Sequence, residues 1–190
     1  MKILGLHGFQ TSGKIFLRQS NYLRNILKKN YDKDIDWIIP DAPHQSKDNI
    51  APLVKRIFKP PYYHWYNKNE GYEGLEESIE FLKKYSDQID GIIGFSQGAC
   101  MVQIISPILK PKFVINICGI NYSEDDTILD VPCLNIIGLE DPIKEKSEKL
   151  ASIYPKSEIV YHSGNHSFPP DKAIYQDIIN FIKKTNLNHF

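Results

Sequence analysis

Six short apolar runs, widely spaced and separated by stretches of helical periodicity, restrict the folds open to this chain. They are residues 2–6, 35–39, 91–94, 113–117, 133–137 and 158–162. Their apolar and β-branched content, bounded by Gly, Pro, Asp and Asn, reads as strand. Between them lie apolar stripes at helical spacing: Phe16, Leu17, Leu23, Ile26 and Leu27; Leu75, Ile79, Leu82 and Tyr85; Val102, Ile105 and Leu109; and Ile174, Ile178, Phe181 and Ile182. Strands apolar on both faces and joined by helices predict an α/β fold: a mostly parallel six-stranded sheet with helices on both faces. A length of 190 residues fits one domain spanning 1–190. In such a sheet, ligands bind beyond the carboxyl ends of the strands, so the residues that follow each strand carry the chemical information.

The totals exclude several classes of partner. The 23 Lys and Arg balance the 23 Asp and Glu, and the basic pairs Lys28-Lys29 and Lys183-Lys184 sit at helix ends, where they favour the helix dipole. Nothing recruits nucleic acid by charge. No apolar stretch approaches the roughly 18 residues that span a bilayer, and the N-terminal run breaks at Gly5 and His7, so neither a membrane span nor a signal peptide is expected. Cys100, Cys118 and Cys133 are odd in number and embedded in apolar sequence, which suits a reducing, cytoplasmic compartment better than disulfides or a metal site. Residues 47–74 lack a clean period but are rich in Pro and aromatics, and read as an ordered loop insertion.

The third strand runs into Gly94-Phe95-Ser96-Gln97-Gly98, a G-x-S-x-G between strand and helix. Two readings are open. Ser96 caps the following helix, since Ser is a favoured N-cap; or the glycines allow a tight turn that projects the Ser96 hydroxyl above the sheet as a nucleophile. A serine nucleophile needs a base. His166 lies in the loop after the last strand, and Asp141 follows the strand before it. The chain order Ser, Asp, His, each at a strand's carboxyl end, is that of an α/β-hydrolase triad, and this coincidence favours the nucleophile. Competing candidates are Glu140, beside Asp141; His162, within a strand; His44, after the second strand; and His189, near the terminus. Cys100, four residues after Ser96, is expected in the helix core.

Residues Gly8 to Lys14 fit G-x-x-x-x-G-K, a phosphate-cradling spacing, but Ile15 stands where Ser or Thr would hold magnesium. Acyl transfer offers a second account of this stretch. It needs backbone N–H donors for the developing oxyanion, one from the residue after the nucleophile and one from the loop after an earlier strand. Those residues are Gln97 and Phe9, with Gly8 allowing the turn.

These motifs together resemble the FSH family of small serine hydrolases, a compact α/β-hydrolase group with fungal, plant and animal members. The resemblance covers nearly the whole chain: LHGF at 6–9, PDAP at 40–43, the aromatic pair Trp65-Tyr66, YEGLEESIEFL at 72–82, GFSQGA at 94–99, GLEDPI at 138–143 and GNHSFP at 164–169. It implies a Ser96, Asp141, His166 triad and esterase-type hydrolysis of a small acyl ester or thioester, without metal or organic cofactor. Departures from the family pattern fall at Thr11-Ser12, at Gly164-Asn165 and at Tyr66, where a second tryptophan is common. The insertion supplies Tyr62, Tyr63, Trp65 and Tyr72, with Tyr63, Trp65 and Tyr72 expected at the substrate pocket. The chain has no room for a large helical lid. Two other functions remain open at this level: a hydrolase-fold ligand-binding protein without turnover, and a P-loop-type nucleotide-dependent enzyme using Lys14.

Overall fold

The computed structural model describes residues 1–31, 34–67, 71–122 and 128–187. In chain order the elements are β1 (Lys2–Leu6), α1 (Gly13–Gln19), α2 (Asn21–Asn30), β2 (Asp36–Ile38), β3 (His44–Ser46), α3 (Pro52–Ile57), β4 (Tyr62–His64) and α4 (Leu75–Lys83). Then follow β5 (Gly91–Phe95), α5 (Gln97–Leu109), β6 (Phe113–Ile117), β7 (Cys133–Gly138), α6 (Lys144–Ser152), β8 (Ser157–His162) and α7 (Lys172–Leu187). The six expected strands form one sheet in the order β2-β1-β5-β6-β7-β8, and every neighbouring pair in it is parallel.

Side chains alternate across this sheet and divide the core in two. Leu4, Leu6, Ile92, Val114 and Cys133 face a layer containing Leu75 and Leu82 of α4, Met101, Val102 and Ile105 of α5, and Leu150 of α6. Ile3, Ile93, Phe113, Ile115, Leu134 and Ile136 face the other layer, with Phe16 of α1, Leu23 and Leu27 of α2, and Ile178 and Ile182 of α7. Burial on both faces explains why the central strands read as apolar runs, interrupted only where Asn116 of β6 donates to Asn135 of β7 at 3.1 Å.

Three features depart from the sequence expectation. The stripe from Phe16 to Leu27 belongs to two helices, because Ser20 ends α1 by donating both its N–H and its hydroxyl to the Phe16 carbonyl at 2.8 and 2.7 Å. Helix α6 has no apolar stripe in the sequence, and its buried residues are only Ser147, Leu150 and Ala151. The insertion is more than loop: it contains α3 and also β4, which pairs antiparallel with β3 in the register His44↔His64.

The carboxyl end of β1 is held by a buried imidazole. His7 is 0% exposed; its Nε2 accepts from the Ala42 N–H at 3.0 Å, so Nδ1 carries the hydrogen and donates to the Gly8 carbonyl at 2.9 Å. The Trp65 indole N–H donates to the His7 carbonyl at 2.9 Å. Burial lowers the His7 pKa from 6.5 to about 4, against the opposing pull of the Gly8 carbonyl and Asp41. Between those values the unfolded chain binds a proton that the fold refuses. Stability should therefore fall as pH drops from 6.5 to about 4, by roughly 3 kcal/mol. Urea titrations across this window should show that difference between the native chain and His7→Gln, with the variant less pH-dependent.

Close contact between α5 and β1 is the second constraint. A Cβ on Gly98 would lie 2.0 Å from the Leu6 carbonyl oxygen, a backbone atom with no freedom to retreat. Gly98→Ala should lower stability by about 2 kcal/mol or more, read as a lower urea midpoint with an unchanged slope.

Candidate active site

Ser96 joins β5 to α5 with φ 54 and ψ −116, a backbone region that L-residues occupy only when their surroundings compel it. It is clamped from both sides. Its N–H donates to the Ile117 carbonyl of β6 at 3.0 Å, and its carbonyl accepts from Ala99 and Cys100 N–H at 3.0 and 3.3 Å. Gly94 and Gly98 make the turn sterically possible: a Cβ on Gly94 would lie 2.5 Å from the Gly98 carbonyl oxygen. Ser96 occupies the N-cap position, but its side chain makes no cap bond. Its hydroxyl lies 2.9 Å from His166 Nε2 instead.

Asp141 follows β7 and is buried, whereas the adjacent Glu140 points to solvent. Asp141 Oδ1 accepts from the Ile143 N–H at 2.9 Å, and Oδ2 lies 2.8 Å from His166 Nδ1. An ionised carboxylate only accepts, so Nδ1 bears the hydrogen, and Nε2 is left to accept from the Ser96 hydroxyl. The His166 ring rests against Phe95, 5.2 Å between centroids, and its side chain is 32% exposed while that of Asp141 is fully enclosed. Sequence positions 96, 141 and 166 thus meet in one hydrogen-bonded line.

The loop after β1 abuts this line. A Cβ on Gly8 would lie 3.2 Å from the Phe95 ring and 3.4 Å from Ser96 Cβ; close approach, rather than a left-handed turn, is what glycine permits here. The left-handed turn falls two residues later, at Gln10 with φ 53, a position with no sequence signal. The Gln10 amide is fixed by the Asn49 carbonyl and the Ala51 N–H at 3.1 and 2.9 Å. The Gly13 N–H, which a phosphate-cradling loop would offer to a ligand, is taken by Asp41 Oδ1 at 2.7 Å, and Lys14 points outward on α1.

The Gln97 side chain makes contacts that its motif position did not reveal. Its Oε1 accepts from the Trp65 N–H at 3.0 Å, and its Nε2 donates to the Tyr66 carbonyl at 2.7 Å. The side chain after Ser96 therefore ties the insertion to the strand-to-helix turn. Trp65, expected on the pocket wall, is instead 0% exposed and tilted against His7 at 5.1 Å; burial of its large ring behind the β1 loop makes it a support. Tyr63 and Tyr72 are half-buried, and Tyr72 packs on Tyr66 and Tyr122 at 5.4 and 4.8 Å.

Among the other candidates, His44 lies near the Gly74 carbonyl at 2.8 Å, His162 is buried at the end of β8, and Cys100 is buried in α5 with its thiol donating to the Ile120 carbonyl. His189 lies outside the described residues. Among the described residues, Cys118, Asp141 and His166 form the one group of donor atoms close enough to share a metal ion, within 4.8 Å of one another. Two of these donors are already engaged with each other, and burial pushes the Cys118 thiol up to about 12. The group is therefore arranged as hydrogen-bonding partners.

Known proteins share this architecture. The esterase AGAP003155 of Anopheles gambiae is 27% identical over 221 residues, covering 100% of this chain and 79% of its own. The esterase CG5412 of Drosophila melanogaster is 28% identical over 214 residues, covering 96% and 74%. The crystal structure of esterase PE8 superposes with a TM-score of 0.68 at 17% identity, covering 97% of this chain and 92% of that one, which shows a common α/β-hydrolase fold. The model of the serine hydrolase family FSH1 matches residues 1–178, and the chain belongs to that family.

Proposed function

We propose that this chain is a serine carboxylesterase or thioesterase that works through an acyl-enzyme on Ser96. The observation that carries the proposal is the line from the Ser96 hydroxyl to His166 Nε2 at 2.9 Å and from His166 Nδ1 to Asp141 at 2.8 Å, with the nucleophile raised on a strained turn. As Oγ attacks the acyl carbon, His166 takes its proton, and Asp141 steadies the imidazolium without itself taking a proton. The Phe9 and Gln97 N–H groups are the donors for the tetrahedral oxyanion. Collapse expels an alcohol or thiol, protonated by His166, and a water activated by the same imidazole then releases the acid.

Tyr63 and Tyr72, half-buried on either side of the Gln97-tied backbone, supply aromatic walls with polar tips for a small acyl substrate. Three buried, unbridged cysteines fit a cytoplasmic setting, and no helix among the described residues is long and apolar enough to cross a membrane.

Ser96→Ala should abolish nitrophenyl-ester hydrolysis and fluorophosphonate labelling while leaving the fold intact; a folded variant that keeps either rejects the assignment. Asp141→Asn should keep labelling detectable but lower kcat by about a thousandfold or more, because the wrong histidine tautomer is then favoured. Matched series of acyl esters and thioesters of rising chain length, measured on one preparation, should reveal one preferred leaving group and an optimum length.

A further inference from the structure

Behind the Ser96, His166 and Asp141 side chains lies a second polar chain that the mechanism does not use. His162, the last residue of β8, is 1% exposed, and Cys118, which follows β6, is 0% exposed. The Gly164 backbone N–H donates to His162 Nδ1 at 3.1 Å. A nitrogen that accepts carries no hydrogen, so the neutral ring has its hydrogen on Nε2. Nε2 lies 3.8 Å from Cys118 Sγ, which places that N–H against the sulfur. The thiol in turn faces two carbonyls, of Ser167 at 3.5 Å and Asn165 at 3.9 Å, and these flank His166 in the chain.

Both groups are held in the state this chain needs. Burial, with the Asp141 carboxylate as a charge and a hydrogen-bond partner, pushes the thiol up to about 12, so it keeps its hydrogen. Burial lowers the His162 pKa, against the opposing fields of Asp171 and Asp141, so the ring keeps a free acceptor for Gly164. Cys118 also has φ 49, a left-handed backbone that a non-glycine residue adopts when its contacts fix it there. The same loop is tied by the Glu140 N–H to the Gly164 carbonyl at 3.1 Å and by the Ser163 N–H to Asp171 at 2.7 Å. Those ties hold the loop's start, whereas Cys118 Sγ lies against a carbonyl on each side of His166.

We propose that His162 and Cys118 are positioning residues: a buried imidazole–thiol chain that braces the loop carrying His166, with the sulfur set against the carbonyls that flank it, and so aims its ring between Ser96 and Asp141. The proposal rests on His166 being the catalytic base. A thiol is a weak donor, so its loss should loosen the loop and not release it. Cys118→Ala should lower kcat on a nitrophenyl ester by about tenfold, below the hundredfold that a misplacement of about 1 Å can cost, with KM within about twofold. Cys118→Ser, which keeps a donor, should recover most of that loss. His162→Phe, which fills the space but cannot accept from Gly164, should cost more than Cys118→Ala, and His162→Gln should recover part.

The independent readout is amide hydrogen exchange over residues 163–167 in the folded 190-residue chain. It should quicken by about tenfold in Cys118→Ala and His162→Phe. Native exchange with native kcat in both variants overturns the proposal, as does a lower kcat with unchanged exchange, a change in KM alone, or a Cys118→Ser variant no better than Cys118→Ala. A folded native chain that neither turns over ester nor labels with a fluorophosphonate rejects the hydrolase reading instead, and the exchange comparison then decides the anchoring chain alone.

Discussion

Everything at the carboxyl edge depends on the backbone of Ser96 being held where an L-residue does not rest by choice. A left-handed conformation of this kind costs on the order of 1–3 kcal/mol. The cost is offset because the residue belongs to a strand and a helix at once: its N–H completes the β5–β6 pairing through Ile117, and its carbonyl begins α5 through Ala99 and Cys100. Neither element can relax without losing hydrogen bonds. Helix α5 in turn can start this close to the sheet only because Gly98 has no side chain to meet the Leu6 carbonyl. The strain is thus distributed over three adjacent strands, and the hydroxyl it aims is rigid before any substrate arrives.

Much of this could be read from residues in order, because the signals were local. Strands buried on both faces carry their own apolar runs, and Ser96, Asp141 and His166 each follow such a run directly. What could not be read depends on partners distant in the chain. The break at Ser20 falls between two helices whose stripes face the same core, so periodicity continues across it. Helix α6 is polar around most of its circumference, and packs through so few residues that no stripe forms. Strands β3 and β4 have three residues each, and all but Tyr62 and Tyr63 are His, Gln or Ser. Gln10, Gln97, Cys118 and His162 act through hydrogen bonds to segments 31 to 49 residues away or through local turns, and no spacing rule encodes such contacts.

The insertion shows how an aromatic residue's chemistry and its location can part company. Trp65 has the large amphipathic ring expected of a pocket wall, yet its N–H is spent on the His7 carbonyl and its faces are enclosed. Burying this ring ties the insertion to the β1 loop, while the Gln97 amide ties the same stretch to the elbow. The two proposed oxyanion donors, Phe9 and Gln97, therefore flank a single cross-braced unit. Tyr63 and Tyr72, the proposed pocket walls, lie near its ends with part of their surface free.

Three histidines crowd this edge, and their surroundings separate their tasks. His7 is enclosed and spends both ring nitrogens on backbone groups, so burial holds it neutral. His162 is likewise enclosed, and one nitrogen is committed to Gly164. A ring so placed is useful as a fixed donor and acceptor, because gaining a proton would break the bonds it makes. His166 differs in both respects that a proton carrier requires. It reaches solvent, and its Nδ1 faces a carboxylate at 2.8 Å, so a second proton on the ring meets an opposite charge and breaks no backbone bond. The division follows from burial and partners, not from the residue type: two of these identical imidazoles serve as neutral braces, and only the third is placed to act as the proposed base.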